Sequence, residues 1–537
     1  MTGNFNSVQS KYSYDLVLLK ADGNPDVSLD LTTSSGVRCA AVQADGQMVL
    51  GGNFSQVNSS TRRGLARIAR YGPTEPAFNP NIQGGEVRNI LLLENGKMLV
   101  AGTFTSVGGV TRTGIARLHQ DGSLDPSFDA SVGGSVNAVA LEPDGSILIG
   151  GAFTSVRSTP RNNLARIDGS GALDATFNPN PSAAVSVLVI QPDGRILAGG
   201  DFQSTGGGSA RGYARLLHGG TLDSSPALAL DASVNSIALQ ADGRILLAGS
   251  FTQVAGQSRP QVARLNPDGS LDSGFTFAGA NAAVNGISLQ GDGSILIGGA
   301  FTSASPFART SLARLFNDPA TAAFEMTGPS SLRWLRGGSA PDASRVYFET
   351  SSNGYEWTHL ANATRTAGGW EASGLDLAGG NFVRARALVA GGMYNGSSGL
   401  VESQSLLVPL NHLEEWRLAR FGTAANAGQA ADGADADNDG IANLLEYATG
   451  GDPWIPGTNP VALQQGALFH LTYPRSTAAV EHGTQFVVEW SDQLGIWSTD
   501  GITETVIGGT AELPLIRASI PQDGSWKRFA RLRVLAP

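Results

Sequence analysis

Val136 to Phe177 reads VNAVALEPDGSILIGGAFTSVRSTPRNNLARIDGSGALDATF, and close copies of this stretch recur from the first residues to about Phe324. A Gly-x-Phe marker places its phenylalanine at Phe5, Phe54, Phe104, Phe153, Phe202, Phe251 and Phe301, so successive copies lie 49 or 50 residues apart. Each copy is therefore one supersecondary unit that buries its apolar face against its neighbours. Within it, VNAVALEPDGSILIGG is an apolar run, a bend at Asp144-Gly145 and a second apolar run. Glycine supplies the positive φ that such a bend needs. Asp45-Gly46, Asp193-Gly194, Asp242-Gly243 and Asp292-Gly293 repeat the bend, with Asn95-Gly96 as a variant. LARLHQDGSLDPSF, turning at Asp121-Gly122, is a second hairpin. Two hairpins predict four strands per copy.

Four short strands every 40 to 50 residues or so is the pattern of a β-propeller blade. A β-solenoid is the competitor, but its rungs are shorter and require no pair of tight hairpins. Full copies begin near Val37, Val87, Val136, Val185, Val234 and Val284, and residues 1 to 36 form a half-copy in which Met1 to Phe5 align with Leu50 to Phe54. The chain is thus expected to be truncated or to start upstream of Met1. Closure of the ring favours seven blades, one of them incomplete, over six with an overhang.

Glycine is abundant, at 70 of 537 residues, and the charged fraction is low at 15%, which suits strands and turns. The net charge of −10, without a basic run, argues against nucleic acid as a partner. Cys39 is the only cysteine and falls in an apolar strand, which excludes an intrachain disulfide and a thiolate metal site. No transmembrane segment and no signal peptide can be read.

In the second hairpin, Arg67 and Glu75, Arg117 and Asp125, Arg166 and Asp174, Arg215 and Asp223, and Arg264 and Asp272 are each eight residues apart with the turn midway. They are predicted to be cross-strand ion pairs, in preference to a ring of arginines that binds anions. The last copy has Ala322 opposite Arg314, and the half-copy has Leu18 with Asp26. The middle residue of Gly-x-Phe is small or polar, Asn4, Asn53, Thr103, Ala152, Asp201, Ser250 and Ala300. Tight packing near the axis is the expected reason.

The segments x-x-DG-x-[IL]-L-x-[GA]-G-x-F and [LIY]-A-R-[LI], the latter as in Leu65 to Ile68, resemble the delta-sixty repeat family of large secreted or surface proteins of bacteria. The resemblance spans residues 1 to about 325. It implies a propeller and an extracellular or cell-surface location, and it carries over no catalytic residue.

After Phe324 the repeat stops, and Trp334, Tyr347, Phe348, Tyr355, Trp357 and Trp370 follow within 40 residues. Strands around an Asn353-Gly354 turn predict an immunoglobulin- or fibronectin-like β-sandwich over 327–408, its aromatics forming the core. Asn411 to Glu414 is a capping box that opens a helix running to Phe421 and stopping at Gly422.

Asp435, Asp437, Asp439, Gly440, Ile441, Asn443 and Glu446 then fit the twelve-residue spacing of an EF-hand loop. Calcium takes about six to eight oxygen ligands. Three carboxylates, the Ile441 carbonyl, Asn443 directly or through water, and a bidentate Glu446 supply them. A helix from Asn443 to Thr449 leads to Gly450-Gly451. The loop resembles those of dockerins and thrombospondin type three repeats, but stands alone, which points to structural binding over switching. Residues 459–537 read as a small all-β module with Trp490, Trp497 and Trp526 in its core and Arg528, Arg531 and Arg533 at alternate exposed positions.

The domain organisation is thus 1–326 propeller, 327–408 sandwich, 409–458 helix and calcium loop, and 459–537 all-β module. The six histidines are scattered, and no nucleophile elbow, HExxH, phosphate loop or dinucleotide fingerprint occurs. The reading is a mainly β, monomeric, non-enzymatic protein with a protein or glycan as partner, which it meets at variable loops such as Thr154 to Asn163. A polysaccharide- or peptide-degrading enzyme and a multivalent carbohydrate-binding propeller are the alternatives.

Overall fold

The computed structural model describes residues 31–69, 73–225, 228–377, 382–406, 410–465, 469–521 and 528–537, with residues 7–8, 11–12, 16–17, 19–20, 24 and 26 near the start. Asn4, Phe5, Leu18 and Trp526 lie outside the described residues.

The chain is mainly β, with propeller-like repeats. Each of the six full copies builds a three-stranded antiparallel sheet. In the third, Val132–Leu141 pairs with Ile147–Val156, which pairs with Leu164–Ile167. The same order runs from Val37–Val42, Met48–Gly52 and Leu65–Ile68 to Val284–Leu289, Ile295–Gly299 and Leu312–Leu315. The predicted fourth strand is reduced to one bridged residue, as in Leu118 with Leu124, Ile167 with Leu173 and Leu265 with Leu271. The cause is local. Asp125 Oδ1 accepts from the Ser127 amide at 3.0 Å and the Ser127 hydroxyl at 2.6 Å. This Asx turn steers the chain off the ladder after a single bridge.

Successive sheets stack closely because small residues line the middle strand. A Cβ on Gly150 would stand 2.7 Å from Cγ1 of Val185, and one on Gly199 2.9 Å from Cγ1 of Val234, the valines that open the next inner strands. Phe54, Phe104, Phe153, Phe202, Phe251 and Phe301 are all buried, each worth about 1.5–3 kcal/mol relative to exposure. The residue between glycine and phenylalanine departs from expectation. Asn53, Ala152, Asp201, Ser250 and Ala300 are exposed and Thr103 is half-buried, so solvent, not axial packing, meets them at the strand's end. Cys39 is buried, as its strand position predicts.

Beyond the repeats, Ala320–Gly328 pairs with Ser331–Gly338, which continues to Gly369–Ala372 and Thr364–Thr366. Residues 320–326, grouped with the repeats by sequence, are therefore laddered to the strands of the 331–372 region. A second sheet joins Thr358–Asn362, Arg345–Ser351, Phe382–Met393 and Ser397–Leu406. Leu332, Trp334, Val346, Phe348, Trp370 and Val383 form one core shared by strands of both sheets. Tyr355 is the departure, at 89% exposed.

The hairpin Phe382–Leu406 reaches back into the repeats. Met393 and Gly392 pair antiparallel with Gly286 and Ile287 of the sixth copy, and Ser398 pairs parallel with Ala41 of the first. Asn395 Nδ2 donates to the Ile237 carbonyl at 2.6 Å and the Tyr394 amide to Asn235 at 3.2 Å, both on the fifth copy. The Ile90 amide of the second copy donates to Gly396 at 3.2 Å. Inner strands of four copies thus grip one hairpin tip. The same region lies on the face that carries the Asp-Gly bends. The Ala241 amide donates to Ala340 at 2.7 Å, the Asp342 amide to Leu239 at 2.7 Å, and Arg386 Nη1 to the Ala44 carbonyl at 2.6 Å.

Three helices follow: α1, His412–Phe421; α2, Asn443–Thr449; and α3, Thr477–Glu481. Leu413, Tyr447 and Ala479, one from each, form a small shared core. The C-terminal strands make two sheets, Ala462–Gln465, Phe469–Pro474, Pro514–Ile520 and Thr503–Gly509 in one, and Ile496–Ser498, Gln485–Gln493 and Phe529–Leu535 in the other. Phe469, Leu471, Tyr473, Val488 and Ile516 fill their core, with Trp490 packed at its edge. Among the described residues, no helix is long and apolar enough to cross a membrane.

Candidate functional site

The acidic loop is held in place from both ends. Asn411 caps α1, accepting from the Glu414 amide while Glu414 reaches back to the Asn411 amide, and Gly422 ends the helix at φ 71°. Buried Arg417 on α1 pairs with Asp432 at 2.5 Å, three residues before the loop opens. At the far end Asn443 starts α2, and its Nδ2 donates to the carbonyls of Gln429 at 2.7 Å and Ala431 at 2.8 Å. The Arg417 contact is invisible to motif spacing, because its partner lies on a turn outside the helix pattern.

Between these anchors, Asn438 at φ 63° and Gly440 at φ 92° bend the chain. Carboxylate oxygens of Asp435, Asp437 and Asp439 all lie within 4.8 Å of one another. Backbone amides offset part of their charge: Gly440 N donates to Asp435 Oδ2 at 2.8 Å, Ile441 N to Asp439 Oδ1 at 2.8 Å and Gly457 N to Asp439 Oδ2 at 2.6 Å. Two oxygens have no hydrogen-bond partner among the described residues, Asp437 Oδ2 and Asn443 Oδ1, although both are buried. Orphaned buried acceptors carry a desolvation cost that a cation relieves. The Ile441 side chain is buried.

Glu446 is 4% exposed and stands outside the tight carboxylate trio. Burial, followed by the charges of Asp437, Asp439 and Asp435, pushes its carboxyl up to about 7. Burial and the neighbouring carboxylates also raise Asp437. The structure thus brings three of the predicted ligands together, places Asn443 with an unsatisfied oxygen and sets Glu446 within range of the trio's field. Oxygen-only donors with no thiol or imidazole suit a hard cation such as calcium.

The arginines of the second hairpin are engaged inside the fold. Arg117 Nε meets Asp125 at 2.8 Å, Arg215 Nε meets Asp223 at 2.8 Å, Arg264 Nε meets Asp272 at 2.7 Å, and Arg67 chelates Glu75. Arg166 differs: it binds Glu142 at 2.6 and 2.9 Å and lies 3.5 Å from Asp174. Each also reaches the next copy, as Arg67 Nη1 does to the Gln120 carbonyl at 2.6 Å and Arg117 Nη1 to Gly169 at 2.5 Å. An anion-binding ring would need these donors free.

The repeats match the family described as Domain of unknown function (DUF5122) beta-propeller. The matched segments are residues 43–71, 93–128, 142–177, 191–225, 240–275 and 290–318, one in each full copy of this propeller region. No curated protein matches the chain. Among solved structures, the chain is similar to PorZ, a bacterial surface component of the type-IX secretion system of Porphyromonas gingivalis, with 13% identity over 71% of this chain and 53% of that one, at a TM-score of 0.35. It is also similar to the extracellular domain of BT4673 from B. thetaiotaomicron, with 10% identity over 73% and 51% and a TM-score of 0.30. The chain spans about half the length of each of these two structures.

Proposed function

We propose that this chain is a non-enzymatic modular protein, secreted or displayed at the cell surface, that uses a propeller of the delta-sixty type as an interaction scaffold and binds calcium structurally in the loop Asp435 to Glu446. In this reading the propeller ends before the strand Ala320–Gly328, which joins an immunoglobulin-like sandwich reaching residue 408, and 409–458 is the calcium linker and 459–537 a terminal β module. Leu16 is buried in the apolar cluster of the first full copy, which supports a seventh, incomplete blade. The protein or glycan partner meets the face away from the Asp-Gly bends, where the loops after each Gly-x-Phe lie, because the bend face is engaged by the 338–386 region.

The observation that carries the calcium reading is the trio of carboxylates within 4.8 Å of one another, with the buried Asp437 Oδ2 among them unsatisfied. Since α2 shares a core with α1 and α3, calcium there stiffens the link to the terminal module. Affinity in the millimolar range or tighter suffices outside cells. Isothermal titration of the full chain with calcium is expected to show one site, absent in Asp437→Ala, and a calcium-dependent rise in thermal stability. No heat and no stabilisation in the unsubstituted chain would overturn the calcium assignment.

A further inference from the structure

Five of the six full copies carry a second arginine five residues before the hairpin arginine, at Arg62, Arg112, Arg161, Arg259 and Arg309, where the fourth copy has Ala210. In all five, Nη1 donates to the carbonyl of the preceding residue, at 2.7 Å for Arg62 and 2.9 Å for the other four. Two reach further. Arg62 Nη2 donates to the carbonyls of Glu75 and Pro76, both at 3.0 Å, and Arg161 Nη2 to that of Ala175 at 2.7 Å. These two side chains are buried and tie the loop after Gly-x-Phe to the far arm of the second hairpin.

At Ala210 the arginine is missing and a cavity of about 140 Å³ stands in its place, with Ser209, Ala210, Tyr213, Arg215, Asp223 and Ser224 among its walls. Ser209, Asp223 and Ser224 correspond to Thr61, Glu75 and Pro76, the residues whose carbonyls hold Arg62 in the first copy. The Asp223 and Ser224 carbonyls accept no hydrogen bond among the described residues. Tyr213, which replaces Leu65, Ile115, Leu164, Val262 and Leu312 of the other copies, is 4% exposed, and its hydroxyl has no hydrogen-bond partner among the described residues. A buried phenol normally finds one. Ser209 and Ser224 are exposed, so the cavity opens to solvent.

We propose that this cavity is a binding site for a guanidinium group, the arginine side chain of a partner protein, which takes the place left at Ala210 and donates to the carbonyls of Ser209, Asp223 and Ser224 and to the Tyr213 hydroxyl. A guanidinium is a planar fork of five N–H donors with no acceptor, which suits a wall of oxygens that lack donors. A cavity on the order of 150 Å³ holds a six-atom ring, so a guanidinium with part of its stem fits. Arg215 in the wall is no obstacle, because its charge is paired with Asp223 at 2.8 Å. Arg62 and Arg67 are buried together in the first copy on the same terms, Arg67 being paired with Glu75. The net charge of −10 draws cationic partners to the chain. The site goes beyond the scaffold and calcium readings and needs neither.

The test uses Nα-acetyl-arginine methylamide as the probe, with its lysine counterpart as the control, each added to the full chain and followed by saturation-transfer NMR. The arginine probe is expected to bind the unsubstituted chain and the lysine probe to bind at least tenfold more weakly, since a single ammonium cannot span the carbonyls. Tyr213→Phe, which keeps the ring and removes the hydroxyl, is expected to weaken the arginine probe about tenfold. Ala210→Arg restores the residue of the sister copies and is expected to abolish binding while raising the thermal midpoint. Absence of binding to the unsubstituted chain, equal binding of the two probes, or undiminished binding to either variant overturns the proposal.

Discussion

At Arg117 one guanidinium does three jobs: Nε pairs with Asp125 at 2.8 Å, Nη1 reaches Gly169 of the next copy, and its plane covers Phe128. Asp125 is almost fully buried and also takes Lys97 at 2.8 Å. Burial alone would raise this carboxyl, but hydrogen bonds from Lys97, Ser127 and Arg117 hold it far below the usual range. A depressed folded value means that the stabilisation is complete above about pH 4 and is lost as acid protonates the folded state. Asp125→Asn is expected to cost about 3 kcal/mol at neutral pH, with the gap to the unsubstituted chain narrowing below pH 4. Hydrogen exchange at Ile115–Leu118 is the readout, because all eight tryptophans lie beyond residue 333 and miss this region. The eight-residue spacing made this pair legible. It also places Arg166 with Asp174, at 3.5 Å, but misses the shorter contacts to Glu142, which sits on a different turn 24 residues away. Glu142→Gln should therefore loosen the third copy more than Asp174→Asn, whose carboxylate is more exposed; equal protection losses by exchange would refute this ranking.

Among elements, those whose determinants are contiguous were readable. The capping box at Asn411 and the αL glycines at Gly422 and Gly450 place α1 and α2 where the sequence puts them, because each signal acts within one turn. The acidic loop was readable for the same reason, its donors sitting at fixed offsets along one stretch of chain. The fourth strand failed because the aspartate that pairs with arginine also forms an Asx turn, and the turn wins after one bridge. The loop carries its own pH signature. Without a cation, Glu446 titrates at about 7 instead of 4.5, so the folded state holds the extra proton and loses stability as pH rises from about 4.5 to about 7. Calcium bound as proposed would displace that proton. Its apparent affinity is expected to climb over this window, with proton release at pH 6 seen as buffer-dependent heat in titration calorimetry. Glu446→Gln should abolish the buffer dependence; its persistence would assign the proton elsewhere.

On the scale of the molecule, the contacts that matter most join segments far apart in sequence, and no local pattern announces them. Ser397 Oγ accepts from the Ala40 amide at 3.1 Å across 357 residues, and Ser236 Oγ donates to the Gly392 carbonyl at 2.8 Å across 156. Alternation identifies Phe382–Met393 and Ser397–Leu406 as strands, but a strand's pattern does not name its partner, so their insertion between the first and sixth copies could not be foreseen. The tip binds the ring at both sides of this junction, which makes it a clasp as well as a filling. Gly391 sets how closely it seats, since a Cβ there would lie 2.8 Å from the Ser288 Cβ. Gly391→Val cannot keep that approach and should lift the tip from the sixth copy. The amides of Ile287 and Ile90, bonded to Ser236 Oγ and the Gly396 carbonyl respectively, should then lose exchange protection. Limited proteolysis should open a new site within residues 391–397, while α1 to α3 keep their protection. Asn395→Ala removes the bonds to Ile237 and Ser236 without steric conflict and should show the same losses in weaker form, on the order of 1–3 kcal/mol. If both variants retain full protection at Ile90 and Ile287, the ring closes without the hairpin, and the two regions are joined through the 338–345 contacts instead.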